Sequence, residues 1–234
     1  MPLPKIDQPI FPVVIPSTGQ KTKFRPFTVK EEKILLIAKE SKEPDQIVLA
    51  MKQVINNCLQ NVDVDTLATF DVEYLLLQIR SKSVGETINF TINDPDTGEE
   101  VKLSIDIGDV KIDKKEGHTN VIDINETMKI VMGYPKIDKI LSLIDNGSES
   151  KNTKVFNTMI DCIVSLVDGD DVYKMEDFTQ QEIYEFADSL SSNNIKDIKN
   201  FFDTMPTIRH EKKYKTSDNK EKTFVLEGTE TFFI

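Results

Sequence analysis

Two histidines are the side chains of this chain best suited to acid–base catalysis near neutral pH. His118 lies in the polar segment K-K-E-G-H-T-N, and His210 directly follows Arg209. Neither is accompanied by a cysteine or serine at a spacing typical of a nucleophilic enzyme. We therefore interpret both histidines as surface residues without a catalytic role.

Two groups of carboxylates could in principle bind a cation or cleave a glycoside. Residues 94–100, D-P-D-T-G-E-E, resemble a calcium loop, but they lack its third oxygen ligand before the glycine and its distant bidentate glutamate. The second group is Asp168, Asp170 and Asp171. Glycoside cleavage by paired carboxylates needs a sugar cleft, usually lined by aromatic residues, and the chain has no tryptophan. Both segments contain glycine and are more typical of turns.

Other common catalytic patterns are absent from the sequence. It contains no C-x-x-C or H-E-x-x-H metal motif, and it lacks the phosphate-binding patterns G-x-x-x-x-G-K-[ST] and G-x-G-x-x-G. The sequence therefore predicts a protein without enzymatic activity, without a metal site and without a cofactor.

Composition narrows the range of partners and compartments. The 29 basic and 40 acidic residues give a formal charge of −11, which disfavours binding to nucleic acid or to an anionic membrane. Cys58 and Cys162 lie in apolar stretches, as small buried residues of a reducing compartment do, although the sequence alone does not decide whether they form a disulfide. No run of 18 apolar residues and no signal-peptide core is found, so we expect no membrane span and a cytoplasmic location.

Helical periodicity and capping motifs predict most of the elements that would position any functional side chain. Thr28 with Glu31, and Thr179 with Glu182, have the spacing of capping boxes at helix starts. Asp71 is the expected N-terminal cap of another helix. Apolar residues at helical spacing predict helices from Thr28 to about Pro44 and over residues 45–60, 71–82, 136–145, 152–167, 179–190 and 193–203.

Alternating apolar and polar residues predict two antiparallel hairpins. The first joins residues 87–92 to 101–107 around the turn N-D-P-D-T-G, and the second joins 207–215 to 221–227 around S-D-N-K. Short strands are also predicted at 119–124 and 127–132, although the second of these could equally be helical. The sequence thus predicts an α+β fold that is mainly helical, with a mid-chain and a C-terminal β-hairpin and an extended, proline-rich N-terminal arm.

The predicted organisation has three parts: an arm at residues 1–27, helices with a hairpin at 28–145, and helices with the terminal hairpin at 146–234. The segment N-G-S-E-S-K-N at 146–152 is the best linker candidate, but it is only as long as a loop, so the last two parts could also form one continuous domain.

The apolar ends of the chain are the predicted contacts with partners. Ile10, Phe11 and Val13 make the N-terminal arm apolar, and Phe232 and Phe233 do the same for the C-terminal tail. Each end has an alternative. The S-T-G-Q segment at 17–20 could turn the arm back onto its own domain, and the terminal phenylalanines could cover the core of this protein.

Several segments resemble, in their order along the chain, the T4-type baseplate hub proteins of contractile-tailed phages. These segments are P-L-P-K at the start, R-P-F-T-V-K-E-E-K at 25–33, G-H-T-N at 117–120, V-Y-K-M-E-D-F-T-Q-Q-E-I-Y-E-F at 172–186, F-F-D-T-M-P at 201–206 and L-E-G-T-E-T-F-F near the end. None of the segments is catalytic, so the resemblance depends on their order.

The resemblance implies a late viral protein that builds the hub of the tail baseplate by docking to other hub or tail proteins. A transient chaperone for a tape-measure or hub protein is the alternative function. The expected location is the host cytoplasm during assembly, and the sequence does not decide whether the protein then remains in the virion. Nor does it decide whether the protein forms a homo-oligomer.

Overall fold

The structure is a computed structural model that describes residues 6–144, 150–216 and 219–227. It divides into two compact units. Unit 1 consists of Met1–Asp113 with Thr207–Ile234, and unit 2 is Lys114–Pro206. The chain therefore leaves unit 1 after Asp113 and returns to it at Thr207. The domain ranges predicted from the sequence, with a junction between residues 145 and 146, stay a prediction. The first part of the proposed linker, 146–149, lies outside the described residues.

The described part of unit 1 contains three α-helices, α1 (Val29–Ser41), α2 (Pro44–Cys58) and α3 (Thr69–Ser83). The capping box predicted at Thr28 is present, because the Glu31 carboxylate accepts hydrogen bonds from the Thr28 amide at 2.9 Å and the Thr28 hydroxyl at 2.7 Å. Helix α1 is followed by its C-terminal cap, Lys42, whose φ of 59° is left-handed, and Pro44 then occupies the first turn of α2.

Among the residues of unit 1 that the structure describes, seven strands form three antiparallel sheets. A two-stranded sheet pairs β1 (Phe11–Val14) with β2 (Lys21–Phe24), and another pairs β3 (Thr87–Asn93) with β4 (Glu100–Asp106). The third sheet has the order β11 (Glu221–Glu227), β10 (Thr207–Lys215), β5 (Lys111–Asp113). Because the chain leaves unit 1 after β5 and returns to it at β10, the pairing of these two strands joins the two parts of unit 1.

Helix α3 lies at the centre of the core of unit 1. Its residues Leu75, Leu76, Leu77 and Ile79 are at most 1% exposed, so it is buried on several sides rather than along one stripe. Leu77 packs with apolar residues of β3, β4, β10 and β11 and of the segment between β4 and β5. These residues are Ile88, Ile105, Ile107, Val110, Ile208 and Leu226.

Unit 2 is a four-stranded sheet with helices. The sheet has the order β6 (Val121–Asp123), β7 (Met128–Met132), β8 (Ile163–Asp168), β9 (Asp171–Lys174), and all of its pairs are antiparallel. The helices are α4 (Ile137–Ile144), α5 (Lys151–Ile160), α6 (Gln180–Asp188) and α7 (Ser192–Thr204). The core joins sheet and helix residues. Its buried members are Ile122, Ile130, Met132, Ile160, Cys162, Ile163, Ala187, Ile198 and Phe201.

The predicted fold, mainly helical with two hairpins, is wrong. The described residues form an α+β structure with four sheets of two to four strands. The largest error is the helix expected over 152–167, because α5 ends at Ile160 and β8 begins at Ile163. The run I-D-C-I-V-S-L-V is apolar enough for a buried element of either kind, and its β-branched residues favour a strand.

The proline-rich arm also differs from the expected extended segment. Residues 11–24 form the β1–β2 hairpin, whose turn closes when the Ile15 amide donates to Gln20 and the Gly19 amide donates to Ile15. Gly19 has a φ of 70°, which a residue with a side chain rarely adopts, so the S-T-G-Q turn folds this segment back. Residues 1–5 lie outside the described ranges.

Gly133 permits an irregular pairing between β7 and β8, where Val164 is an extra residue. A Cβ atom at Gly133 would lie 2.8 Å from Val164 Cγ2. We expect Gly133→Ala to lower the free energy of unfolding by about 1 kcal/mol, because the stiff valine must shift. Urea denaturation measures this loss. The additional substitution Val164→Ala removes the clashing methyl group and should recover part of the stability. Equal losses in both backgrounds would contradict the close contact.

Candidate interaction surfaces

His118, one of the two candidate catalytic bases, is a half-buried packing residue and not an open surface histidine. Its ring stacks on Tyr134, with centroids 5.8 Å apart, and lies 5.1 Å from the ring of Phe201. Its Nδ1 atom is 3.0 Å from the Thr204 hydroxyl, and its Nε2 atom is 3.0 Å from the Tyr134 hydroxyl. The histidine of the G-H-T-N segment thus connects that loop to α7 within unit 2.

The hydrogen bonds place the proton of the neutral His118 ring on Nδ1. The Thr204 hydroxyl donates its proton to the Asn200 carbonyl at 2.7 Å, so it can only accept from Nδ1–H of His118. Nε2 then accepts from the Tyr134 hydroxyl. Burial lowers the pKa of His118, and the charge of Lys114 lowers it further. These contacts give His118 a structural role. His210, the other candidate, lies half-buried in β10 opposite Leu226.

Asp94, the first residue of the calcium-like segment, holds two hairpins of unit 1 together. Its carboxylate accepts from the Asp96 and Thr97 amides, both at 3.0 Å, which closes the turn between β3 and β4. The same carboxylate accepts from the Tyr214 hydroxyl at 2.7 Å and from Lys222 Nζ at 2.7 and 2.9 Å. Hydrogen bonds from Lys222 and Tyr214 hold the pKa of Asp94 well below its usual range. The carboxylate is therefore used for tertiary structure.

The second acidic group forms the turn between β8 and β9. Asp168 pairs with Asp171, and Gly169 between them has a φ of 59°, as a tight hairpin turn requires. Within the described ranges, histidine, cysteine and carboxylate side chains form no group of three or more that could hold a metal ion.

The predicted N-terminal contact residues divide between the two faces of β1. Phe11 packs on Phe24 with ring centroids 5.8 Å apart, and Val13 is only 7% exposed, so both face unit 1. Ile10 and Val14 alternate with them and are 54% and 47% exposed. The outward face of this hairpin therefore offers Ile10 and Val14. Phe232 and Phe233, the predicted C-terminal contacts, lie outside the described residues.

Helix α1 carries a second exposed apolar surface in unit 1 that sequence reasoning did not identify. Val29, Leu36 and Ile37 are 65%, 53% and 68% exposed, and their spacing places them on one side of the helix. The sequence does indicate such a surface, because α1 has apolar residues around most of its circumference and only some of them can face one core.

A comparison with protein families then decides the family. The family model described as T4 bacteriophage base plate protein matches residues 8–234. The chain belongs to this family. The match covers both units and all of the described strands and helices. Neither the curated proteins nor the solved structures yielded a match to the chain.

Membership makes this baseplate protein a structural component of a phage tail, with other tail proteins as its partners. The resemblance noted at G-H-T-N and at F-F-D-T-M-P is thereby confirmed at the level of the T4-type baseplate. Among the residues that the structure describes, none of the helices is both long and apolar enough to cross a membrane.

Proposed function

We propose that this baseplate protein acts in the hub of the baseplate, without enzymatic activity, by docking to other hub or tail proteins. The family match over residues 8–234 carries the proposal, because it assigns nearly the whole chain to a baseplate protein. Assembly in the host cytoplasm, before the tail is complete, is part of the proposal.

The engagement of the candidate reactive side chains supports a docking role. His118 is stacked against Tyr134 and Phe201, and Asp94 is fully used by Lys222, Tyr214 and the turn amides. Catalytic groups must instead face a space that a substrate can enter. The exposed apolar side chains on regular elements are the features that partners can recognise.

The proposed docking elements of unit 1 are the N-terminal hairpin and the C-terminal tail. Ile10 and Val14 present an apolar outer face, while Phe11 and Val13 hold the hairpin on its unit. Phe232 and Phe233 are terminal aromatic residues of the kind that anchor interfaces. A second copy of the chain is among the partners that these elements could bind.

Affinity capture from infected cells tests the proposal. A tagged protein should retain hub or tail proteins that mass spectrometry identifies, and purified virions should contain the protein in stoichiometric amounts. Absence from virions, together with capture of a tape-measure or hub protein from cells, would instead show a transient tail-assembly chaperone. Failure to retain any tail protein would overturn the docking role.

Deletion of residues 229–234 should abolish retention of tail proteins and leave the fold unchanged, because the tail contributes its aromatic side chains to a partner. Far-ultraviolet circular dichroism and thermal melting measure the fold, and affinity capture measures retention. The matched control replaces Thr229 and Thr231 by alanine and keeps Phe232 and Phe233, so it should retain partners. A lower melting temperature in the deletion variant would show that the tail covers the core of this protein.

A further inference from the structure

The sheet of unit 2 ends in an exposed edge strand. All four residues of β9, Asp171–Lys174, are exposed. The strand pairs with β8 on one side, and no strand of the described chain pairs with its other side. In an antiparallel pair, alternate residues direct their backbone N–H and C=O groups away from the neighbour. The outer edge of β9 can therefore pair with another extended chain.

Two grooves open beside β9, and its side chains alternate between them. Groove A, of about 560 Å³, is lined by Val172 and Lys174. Groove B, of about 450 Å³, is lined by Tyr173, the residue between these two. Met175 and Ile183 line both grooves and so form the ridge that separates them. A strand added beside β9 would likewise direct alternate side chains toward the two grooves.

The grooves contain most of the exposed large apolar side chains of unit 2. Val164 and Val172 line groove A and are 53% and 61% exposed. Tyr173 and Phe178 line groove B and are 40% and 39% exposed, with ring centroids 6.4 Å apart. Apolar surface concentrated at one edge of a sheet is typical of an interaction site and not of a solvated face.

Groove A is close to electrically neutral. Lys139 Nζ lies 2.5 Å from Asp161 Oδ2, and Lys174 Nζ lies 3.6 Å from Glu176 Oε1, so each lysine that lines the groove is paired with a carboxylate. The other lining residues are mainly apolar. This groove fits an apolar side chain.

Groove B is acidic. Asp168, Glu182 and Glu185 line it, together with the rings of Tyr173 and Phe178, and none of its described lining residues is lysine or arginine. A groove lined by both carboxylates and aromatic rings suits a long cationic side chain, because the aliphatic stem can pack on the rings while the charged end reaches the carboxylates. This groove therefore fits lysine or arginine.

We propose that the outer edge of β9 binds an extended segment of another tail protein in which apolar residues alternate with lysine or arginine. The backbone of the segment would extend the sheet beyond β9, with apolar side chains in groove A and cationic side chains in groove B. This inference rests on the proposed docking function and specifies a surface and a partner chemistry for it.

Binding of a short peptide of alternating lysine and valine to the full chain tests the proposal. Two control peptides carry the same total charge: one has its lysines and valines in separate blocks, and one has a central proline in place of a valine. We expect the alternating peptide to bind at least ten times more tightly than either control. Hydrogen exchange should slow at the backbone amides of β9 when it binds.

Substitutions at the exposed side chains of β9 test whether the peptide binds at the two grooves. The double variant Val172→Ser, Tyr173→Ser should weaken peptide binding at least ten-fold. Val155→Ser is the matched control, because Val155 is also an exposed residue of unit 2, at 41%, but does not line either groove. Both variants should retain the circular dichroism and melting temperature of the original protein, since the substituted side chains are exposed.

Equal binding of all three peptides, or unchanged binding to the double variant, would overturn the proposal. The double variant could lose peptide binding only because it unfolds. In that case hydrogen exchange of the original protein tests the binding site, and peptide-induced protection elsewhere than at β9 would contradict the proposal. Analytical ultracentrifugation tests another occupant. A dimer that the double substitution converts to monomer would show that a second copy covers this edge.

Affinity capture separates this proposal from the wider docking function. If the original protein and the double variant retain the same tail proteins in equal amounts, docking stands and the β9 site is wrong. If the original protein retains no tail protein, the docking function is wrong, and the peptide measurements alone decide whether the edge binds such segments.

Discussion

Replacing Asp71 by alanine should lower the free energy of unfolding by about 3 kcal/mol. The Asp71 carboxylate is fully buried and accepts from the Ser17 amide at 2.8 Å and from the Ser17 hydroxyl at 2.5 Å. It also accepts from the Ala68 amide at 3.1 Å, at the start of α3. Alanine would leave these donors without the carboxylate and would remove the hydrogen bonds that join the turn of the N-terminal hairpin to the central helix of unit 1.

Asparagine at position 71 should cost less than alanine, because it retains one acceptor oxygen. Burial raises the pKa of Asp71, which means that removing the ionised carboxylate from water is unfavourable. This cost offsets part of the stabilisation from its hydrogen bonds. Urea denaturation followed by circular dichroism measures both variants. Asp109→Ala is the matched control, since Asp109 is an exposed aspartate of the same unit. A loss at position 71 no larger than at position 109 would contradict the proposed link.

The Asp71 link also matters for docking, because it fixes the hairpin that presents Ile10 and Val14. Phe11 and Val13 hold the inner face of β1 on unit 1, and the hydrogen bonds from Ser17 to Asp71 hold the turn of the hairpin on α3. We therefore expect a rigid N-terminal hairpin in the intact protein and a looser one in the Asp71 variants.

Glu31→Gln should make the protein less stable at neutral pH and less sensitive to acid. Glu31 is 1% exposed. Burial would raise its pKa, but hydrogen bonds from Arg25 and Thr28 outweigh this effect and lower the pKa to about 2 from an ordinary 4.5. A carboxyl group whose pKa is lower in the folded than in the unfolded chain stabilises the folded state at any pH above its unfolded pKa. This stabilisation is lost as the pH falls from about 4.5 towards 2.

We expect Glu31→Gln to lower the free energy of unfolding by about 1–2 kcal/mol at neutral pH. The loss is smaller than for a fully buried ion pair, because the Arg25 side chain is 28% exposed and water partly screens its charge. The difference between the two proteins should shrink as the pH falls through that window. Urea denaturation at a series of acid pH values measures this difference in stability. The raised pKa of Asp71 has the opposite effect on the pH dependence, but it is present in both proteins and cancels in the difference.

Glu182→Gln provides the matched control for Glu31→Gln. Glu182 also accepts from its capping threonine, through the Thr179 amide at 2.8 Å and hydroxyl at 2.7 Å, but it is exposed and has no arginine contact like that of Glu31 with Arg25. A smaller effect at Glu182 would assign the difference to burial and to Arg25. Parallel stability curves for the original protein and Glu31→Gln down to about pH 3 would contradict the lowered pKa.

Local patterns predicted the local parts of this fold. The capping boxes at Thr28 and Thr179 are present, as are the two hairpins predicted around N-D-P-D-T-G and before the end of the chain. Caps and tight turns depend on residues within about four positions of each other, so a short window of sequence contains the interacting groups. The family, too, could be recognised from ordered segments, and the match over 8–234 confirms it.

Contacts between distant segments account for the errors. The apolar residues of β8 are compatible with either a buried helix or a buried strand. They form a strand because β7 and β9 pair with them on both sides. Asp71, expected as the N-terminal cap of α3, lies in the first turn of that helix and accepts from the Ala68 amide. It also reaches Ser17, 54 positions away, and Asp94 reaches Lys222 across 128 positions. A pattern within one segment does not identify such partners.

The same distinction applies to the surfaces. Composition identified apolar ends of the chain, including Ile10, Phe11 and Val13, but alternation along β1 turns Phe11 and Val13 inward and leaves Ile10 and Val14 outside. The exposed edge of β9 and its two grooves arise from helix α6 and the sheet together. Residue types thus indicated the family and the local elements, whereas long-range packing settled which side chains remain available to a partner, because exposure depends on every neighbour in space.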